Sequence, residues 1–513
     1  MQSSPYCGVE SFSKWQMSYN HLADAVNSFR DACNNLLQTV PRSHTSYVEK
    51  IWLEGKLSQL RKEADGLELI QGILTCSQAV MRRATNTSAA LVPINVLPLE
   101  ILSRIFKFSA SPSTCANRCG RISRQHSLVV IPSVCVQWRE IALSTHSLWS
   151  NISVNEDVSR KKSNTNAHQW TKLLLHRSGS APLSLHFHED SAVPRPDVDR
   201  ITTFLQPHIR NVKSFVFDGS SSQFVQAILT LYSSHLPLTP LVTLAIVRIR
   251  AEPAGPKFTW PVNSLRGLCT LILSELPILL YPHMDEFAQI LLYNPHLRYL
   301  RIRQKFPVLY SDSLPRVHVP HLRDLELDIE NNVGLGQQLS ILEPGANGLN
   351  VTLSLSHSLD LKCSQEIEAF FGRANVTRLN ICSISADHTA QLFNCLGSVP
   401  FLQILSLSCM GENGSASLGA LLVTSNDGEA LARFPSLQCL MISEMSIDQA
   451  QLKRIVDIYQ LRSVTLGYEV AFQAGPKGSM NGKDFLNWLR QRVKIAISVE
   501  IEEEEETDEE ENS

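Results

Sequence analysis

The chain has 513 residues, 43% of them apolar and 19% charged. That length exceeds the roughly 250–300 residues at which a single core stops growing, so several domains or an extended repeat are expected, and the composition excludes wholesale disorder. The net charge of −3 hides an asymmetry: residues 500–513 carry ten acids and no Lys or Arg, which leaves 46 basic against 39 acidic residues in the rest.

Twelve cysteines include no CxxC pair. The first thirty residues lack a basic segment followed by an apolar run, so reduced thiols in an intracellular protein, cytoplasmic or nuclear, are expected. No stretch reaches 18 uncharged apolar residues, which argues against a transmembrane helix. The Asn86 and Asn375 sequons then carry no weight.

In chain order, residues 1–44 are polar with scattered aromatics and read as a weakly ordered lead-in with room for one helix. Residues 45–83 predict a helix. Leu53, Leu57, Leu60, Ala64, Leu67 and Leu74 follow a 4-3-4-3-7 spacing, the stripe of a coiled coil. Gly55, Gly66 and Gly72 interrupt it, each at a cost of about 1 kcal/mol in propensity. The stripe serves either self-association or packing on the chain's own next domain. Residues 84–93 are a breaker-rich linker.

Residues 94–153 predict a three-helix module. Pro98 suits the opening turn of the first helix, and Glu100 sits at its positive end. Leu97, Ile101, Ile105 and Phe108, with Leu102 and Phe106, make a stripe wider than one short helix needs. A long loop, Ser109–Val130, follows. A second helix would place Val134, Trp138 and Ile141 on one face, flanked by Cys135 and Arg139. Leu148, Trp149 and Ile152 form a third cluster. Either this surface meets a partner or it packs on the rest of the chain, and Trp138 and Trp149 suit a core as well as an interface.

LPLEILSRIF, then VCVQWREIA, then STHSLWSNI resemble the F-box, and most closely the F-box-like proteins of mushroom-forming fungi, which join a helical N-terminal segment, an F-box and a C-terminal leucine-rich region. The resemblance implies binding to the Skp-family adaptor of a cullin–RING ubiquitin ligase. By motif match the adaptor-facing residues are Leu97, Pro98, Glu100, Ile101, Leu102, Ile105 and Phe106, with Val134, Cys135 and Trp138 from the later part. Two departures stand out. The Ser109–Val130 loop is longer than in a compact F-box, and His146 stands where the family often has proline.

The second half repeats itself. An apolar-x-x-apolar-x-apolar unit starts at residues 212, 241, 268, 297, 322, 350, 376, 402, 437 and 461, with PLSLHF at 182–187 as a degenerate earlier copy. Most spacings lie in or near the 20–29 residues of leucine-rich repeats. Pro295, Pro320, Pro400 and Pro435 each precede the first leucine by two. Helical stretches at 284–293, 387–396 and 448–459 separate the strands, with Asp387 and Asp448 as N-caps. The predicted fold of 167–499 is an α/β solenoid, a leucine-rich, ribonuclease-inhibitor-like horseshoe.

Alternation along each strand then assigns a concave face. It carries Tyr299, Arg301 and Arg303 beside Asp324, Glu326 and Asp328, with Arg378 and Asn380 further on. Arg301 would face Glu326, and Arg303 would face Asp328. This is either an ion-pair ladder that fixes register or a charged spot that reads a partner. The acidic tail is predicted to stay solvated, as a solubilising end or a contact for a basic surface.

Searches for chemistry are empty. GPKGS at 475–479 lacks phosphate-loop spacing, and GSASLG at 414–419 is not a nucleophile elbow. His186, His188 and Glu189, and Cys115, Cys119 and His126, fall short of a zinc site. Lys and Arg are scattered, against nucleic-acid binding. The expectation is a non-enzyme without metal or cofactor. The resemblance implies the substrate-recognition subunit of an SCF-type ubiquitin ligase, holding the adaptor through the F-box and an unidentified target protein on the repeats. The alternative is a leucine-rich scaffold outside any ligase.

Overall fold

A computed structural model of the chain describes residues 6–39, 47–87, 91–110, 120–155, 164–188, 198–235, 240–249, 258–277, 280–303, 315–328, 332–355, 358–383, 385–396, 399–411, 414–424, 430–467, 470–472 and 482–497. The predicted acidic tail and the Cys115/Cys119 pair fall outside them. Two compact units divide at residue 98, Met1–Pro98 and Leu99–Ser513.

The first unit holds two long helices, α1 (Tyr6–Thr39) and α2 (Tyr47–Thr87), and a short 3-10 turn, Pro93–Val96. Residues 6–39 form one helix, for which the lead-in had room. The aromatics there are periodic: Phe12, Trp15, Tyr19, Leu22, Val26, Phe29, Cys33 and Leu36 alternate by three and four. α2 runs unbroken through its three glycines, each with open space where a Cβ would sit. It also extends into the predicted linker.

The second unit opens with three helices, α3 (Leu99–Ala110), α4 (Gly120–Val134) and α5 (Val136–Ser144). The expected second helix is two. Cys135 breaks it with extended backbone and caps α5, its Sγ accepting from Trp138 N at 3.4 Å. Val134 therefore ends α4, on a different helix from Trp138 and Ile141. Much of the expected 109–130 loop is α4.

A parallel sheet of 14 strands follows without a linker. Its first strands are β1 (Asn151–Asn155), β2 (Leu183–His188), β3 (Val212–Asp218), β4 (Thr243–Val247), β5 (Thr270–Ser274) and β6 (Tyr299–Arg303). After β7 (Val317–Val319) come β8 (Asp324–Asp328), β9 (Leu342–Pro344), β10 (Leu349–Leu355), β11 (Val376–Ser383) and β12 (Ile404–Gly411). The last are β13 (Leu422–Thr424), β14 (Ala430–Ala432), β15 (Cys439–Ile447), β16 (Ser463–Leu466), β17 (Val470–Phe472) and β18 (Lys494–Ile497). β7 with β9, and β13 with β14, make two small separate sheets; β17 pairs with β15 beside the main path. The sequence repeats from residue 212 onward, and the degenerate copy before them, each supply a strand of the large sheet, laid side by side in chain order. This is an α/β solenoid-like arrangement. It begins at Asn151, before the predicted start at 167.

The local chemistry explains the repeat. Strand side chains alternate, so Leu300 and Ile302, Leu325 and Leu327, and Leu353 and Leu355 turn inward and are buried. The four prolines sit second in identical turns, in which Leu297, Leu322, Leu402 and Leu437 N–H groups donate to Asn294, Val319, Val399 and Phe434 carbonyls. Proline pre-sets the backbone angle that this turn position needs. Asn294 is fully buried. Its Nδ2 donates to Leu265 O (2.7 Å) and Ile290 O, and its Oδ1 accepts from Leu268 N at 2.7 Å. It thus stitches two repeats where side chains alone would leave buried backbone groups unmet. The helix over Gln449–Tyr459 is capped by Asp448, as its sequence predicts. In the helix over Ala386–Cys395 the cap is Ser385, whose hydroxyl accepts from Asp387 N, and Asp387 falls in the first turn instead.

Candidate functional site

Two surfaces stand out, one apolar and one charged. The apolar surface lies on the helical module. Along α3, Leu102, Phe106 and Ala110 turn inward and are buried, while Ile101, Ile105 and Phe108 turn outward at 40, 36 and 81% exposure. α4 adds exposed Val129, Val130 and Val134 while burying Leu128 and Ile131. The inner seam is held by Phe106 against Trp138, with ring centroids 4.8 Å apart. Of the residues matched to the motif, Ile101, Ile105 and Val134 are exposed, and Leu102 and Phe106 are not. Cys135 is spent as a cap. Leu97 and Pro98 close the preceding unit, with Leu97 exposed.

The module is fixed to the sheet by its third cluster. Trp149 has no exposure; its Nε1 donates to Ala142 O at 2.7 Å, and the Arg177 guanidinium lies 4.5 Å over its ring. Arg177 comes from α6 (Asn164–Ser178), between β1 and β2. His146, where proline was expected from the resemblance, puts its Nδ1 2.9 Å from Arg177 O. A proline there would lose that contact. Leu148 and Ile152 are buried alongside.

The charged surface crosses the sheet at the C-terminal ends of successive strands. Arg248 grips Asp218 with two hydrogen bonds, Nε to Oδ1 at 2.8 Å and a terminal nitrogen to Oδ2 at 2.6 Å. His188 Nδ1 lies 3.3 Å from the same carboxylate. Arg303 bridges Glu275 at 3.2 Å and Asp328 at 2.7 Å. Arg301 contacts Glu326 at 3.1 Å, and the Tyr299 hydroxyl donates to the other oxygen of Glu326 at 2.7 Å. The β6–β8 register sets Arg301 opposite Glu326 and Arg303 opposite Asp328. Burial first, and then the hydrogen bond to Glu326 and that residue's charge, hold the Tyr299 phenol well above the ordinary tyrosine value. Asp324 accepts from Asn350, and Asn380 donates to Thr352. Arg378 is half-buried on the same face, in register with Ile404.

Sequence reasoning missed the outer members, Asp218, Arg248, Glu275 and Glu444. Arg248, Glu275 and Glu444 have φ of 53, 54 and 54°, in the left-handed region, where a non-glycine side chain costs about 1–2 kcal/mol. Arg248 and Glu275 directly follow β4 and β5, and each donates its N–H to the last carbonyl of the next strand. Gly219 does the same after β3. At this corner glycine is the unstrained residue, and the chain twice carries a charge instead. Glu444 shares the positive φ within β15, and its carboxylate accepts from Ser408 at 2.7 Å. The signal was available: charges fall at the seventh or eighth position of five successive repeat strands.

Among the described residues no group of three or more His, Cys, Asp or Glu side chains could hold a metal ion. His186 and His188 share one face of β2, with buried Phe187 between them. No described helix is long and apolar enough to cross a membrane. Compared with known protein families and with curated proteins, the chain matches no family model and no curated protein.

Proposed function

We propose that the chain is a substrate receptor of a cullin–RING ubiquitin ligase, bound to a Skp-family adaptor through α3 and α4 and to a target protein through the charged face of the sheet. One observation carries this reading. Ile101, Ile105 and Phe108 form an outward apolar strip on a module whose core is already closed by Phe106 and Trp138. An apolar strip left over after the core is filled marks a protein contact. The module is also anchored to the sheet through Trp149, so a partner held at one end is positioned relative to anything held along the strands. Such tethering raises the effective concentration of the target at the ligase. In this reading the chain catalyses nothing and needs no cofactor. A second reading, a leucine-rich-repeat scaffold outside any ligase, is favoured by the burial of Leu102 and Phe106, two residues of the F-box-like motif.

The test is co-purification of the full chain with a Skp-family adaptor. Wild type should retain the adaptor. Ile101→Asp with Ile105→Asp should lose it while circular dichroism and unfolding of the repeats stay unchanged. A wild-type chain that captures no adaptor ends the receptor reading and leaves the scaffold.

A further inference from the structure

The helices of the first unit are long and bare. From Phe12 to Leu36, α1 keeps an uninterrupted three-four seam through eight residues, and none of them is buried. Phe12, Trp15 and Tyr19 stack along it at 5.5 and 5.6 Å. The six seam residues of α2, Leu53 to Leu74, are likewise unburied. Neither helix covers the other's seam. Four of the fourteen side chains are aromatics of roughly 150–250 Å² each. The set holds more than the roughly 800 Å² per partner that a stable interface buries.

The flanks of these seams say what covers them. On α2, Lys56 and Glu63 line one flank, and Glu54, Arg61 and Glu68 the other; all five are exposed. If two copies of α2 ran parallel, opposite flanks would meet, setting Lys56 against Arg61 and Glu63 against Glu68, which repel. If they ran antiparallel with Leu57 opposite Leu60, like flanks would meet, setting Lys56 against Glu63 and Glu54 against Arg61. Every pair is then attractive, and each occurs twice by symmetry. On α1 the flanking positions are Gln16, Ser18, Ala23, Ala25, Arg30 and Ala32, mostly small. A seam with small flanks suits the wide face of a helix bundle rather than a two-stranded coil.

We propose that residues 6–87 are a self-association module, in which two copies of this chain join through antiparallel α2 helices and the two α1 helices complete a four-helix bundle. The dimer holds two copies of the repeat domain and needs no adaptor. Sedimentation equilibrium of the full chain at micromolar concentration reads it directly. The expected mass is twice 57.3 kDa, falling to one copy in Leu57→Asp with Leu60→Asp while the unfolding of the repeats is unchanged. Lys56→Glu should raise the dissociation constant about tenfold, because two attractive pairs become repulsive. Adding Glu63→Lys should restore it. A single-copy mass for the wild type overturns the proposal. So does a dimer that Lys56→Glu tightens, since that sign belongs to the parallel arrangement.

Discussion

In α2, Leu57, Leu60 and Leu67 remain more than two-fifths exposed, whereas Leu300, Leu325 and Leu353 of the sheet have no exposure at all. The leucines are alike, and both stretches repeat them regularly. What differs is where the next apolar surface comes from. Each strand of the sheet is followed, some 24 to 35 residues on, by another with the same alternation, so the chain supplies its own neighbour and stacking closes the core. α1 is likewise followed by a helix with a seam of its own, α2. α1 and α2 lie in one unit, yet each leaves its own seam open. Regular patterning therefore makes an apolar surface, and what packs against it decides whether that surface is buried.

The sharpest way to break this comparison uses two phenylalanines of α3 that are two residues apart. Phe106→Ala should cost roughly 3–5 kcal/mol, because the ring is buried against Trp138. Phe108→Ala, at a side chain 81% exposed, should change stability by less than about 0.5 kcal/mol. Urea unfolding of both variants reads the contrast; equal losses would mean that the outward strip is covered after all.

Within the sheet, Asn294→Ala should cost roughly 2–4 kcal/mol by stranding Leu268 N–H and Leu265 C=O. Hydrogen exchange should show the loss concentrated in the neighbouring repeats, since each repeat touches only those beside it.

On the helical side the sign reverses. Gly66→Ala has open space for its methyl and should stabilise α2 by about 1 kcal/mol. Helix content measured by circular dichroism on heating checks it.

The last prediction has no effect near neutrality. Burial holds the Tyr281 and Tyr299 phenols above the ordinary tyrosine value, so at alkaline pH the folded chain keeps protons that the unfolded chain sheds. Their contribution to stability is complete below about pH 10 and is lost as pH rises beyond it. Denaturation midpoints between pH 8 and 12 should stay flat and then fall, with the fall reduced in Tyr299→Phe.

Much of the sheet was legible because its signals are local. The apolar alternation marked the strands from residue 212 onward, and the prolines marked their turns. Equal spacing also brought Arg301 to Glu326 and Arg303 to Asp328, since parallel neighbours in register align the same repeat position. The α3 stripe was visible too, but not its division into Leu102 and Phe106 inside and Ile101 and Ile105 outside. A residue's face depends on which helix packs beneath it. Cys135 was placed within a helix because periodicity ignores a capping sulfur. The charged corners at Arg248 and Glu275 were passed over because nothing in a single strand announces a left-handed residue; the next strand's carbonyl imposes it.

The sequence by itself determined the parallel stack, its turns and its cross-strand charges, because each follows from a repeat meeting a copy of itself. Only the tertiary structure decided which apolar residues were left over. Burial is a property of pairs of surfaces. In α1, α2 and the outer face of α3 that structure left apolar side chains exposed.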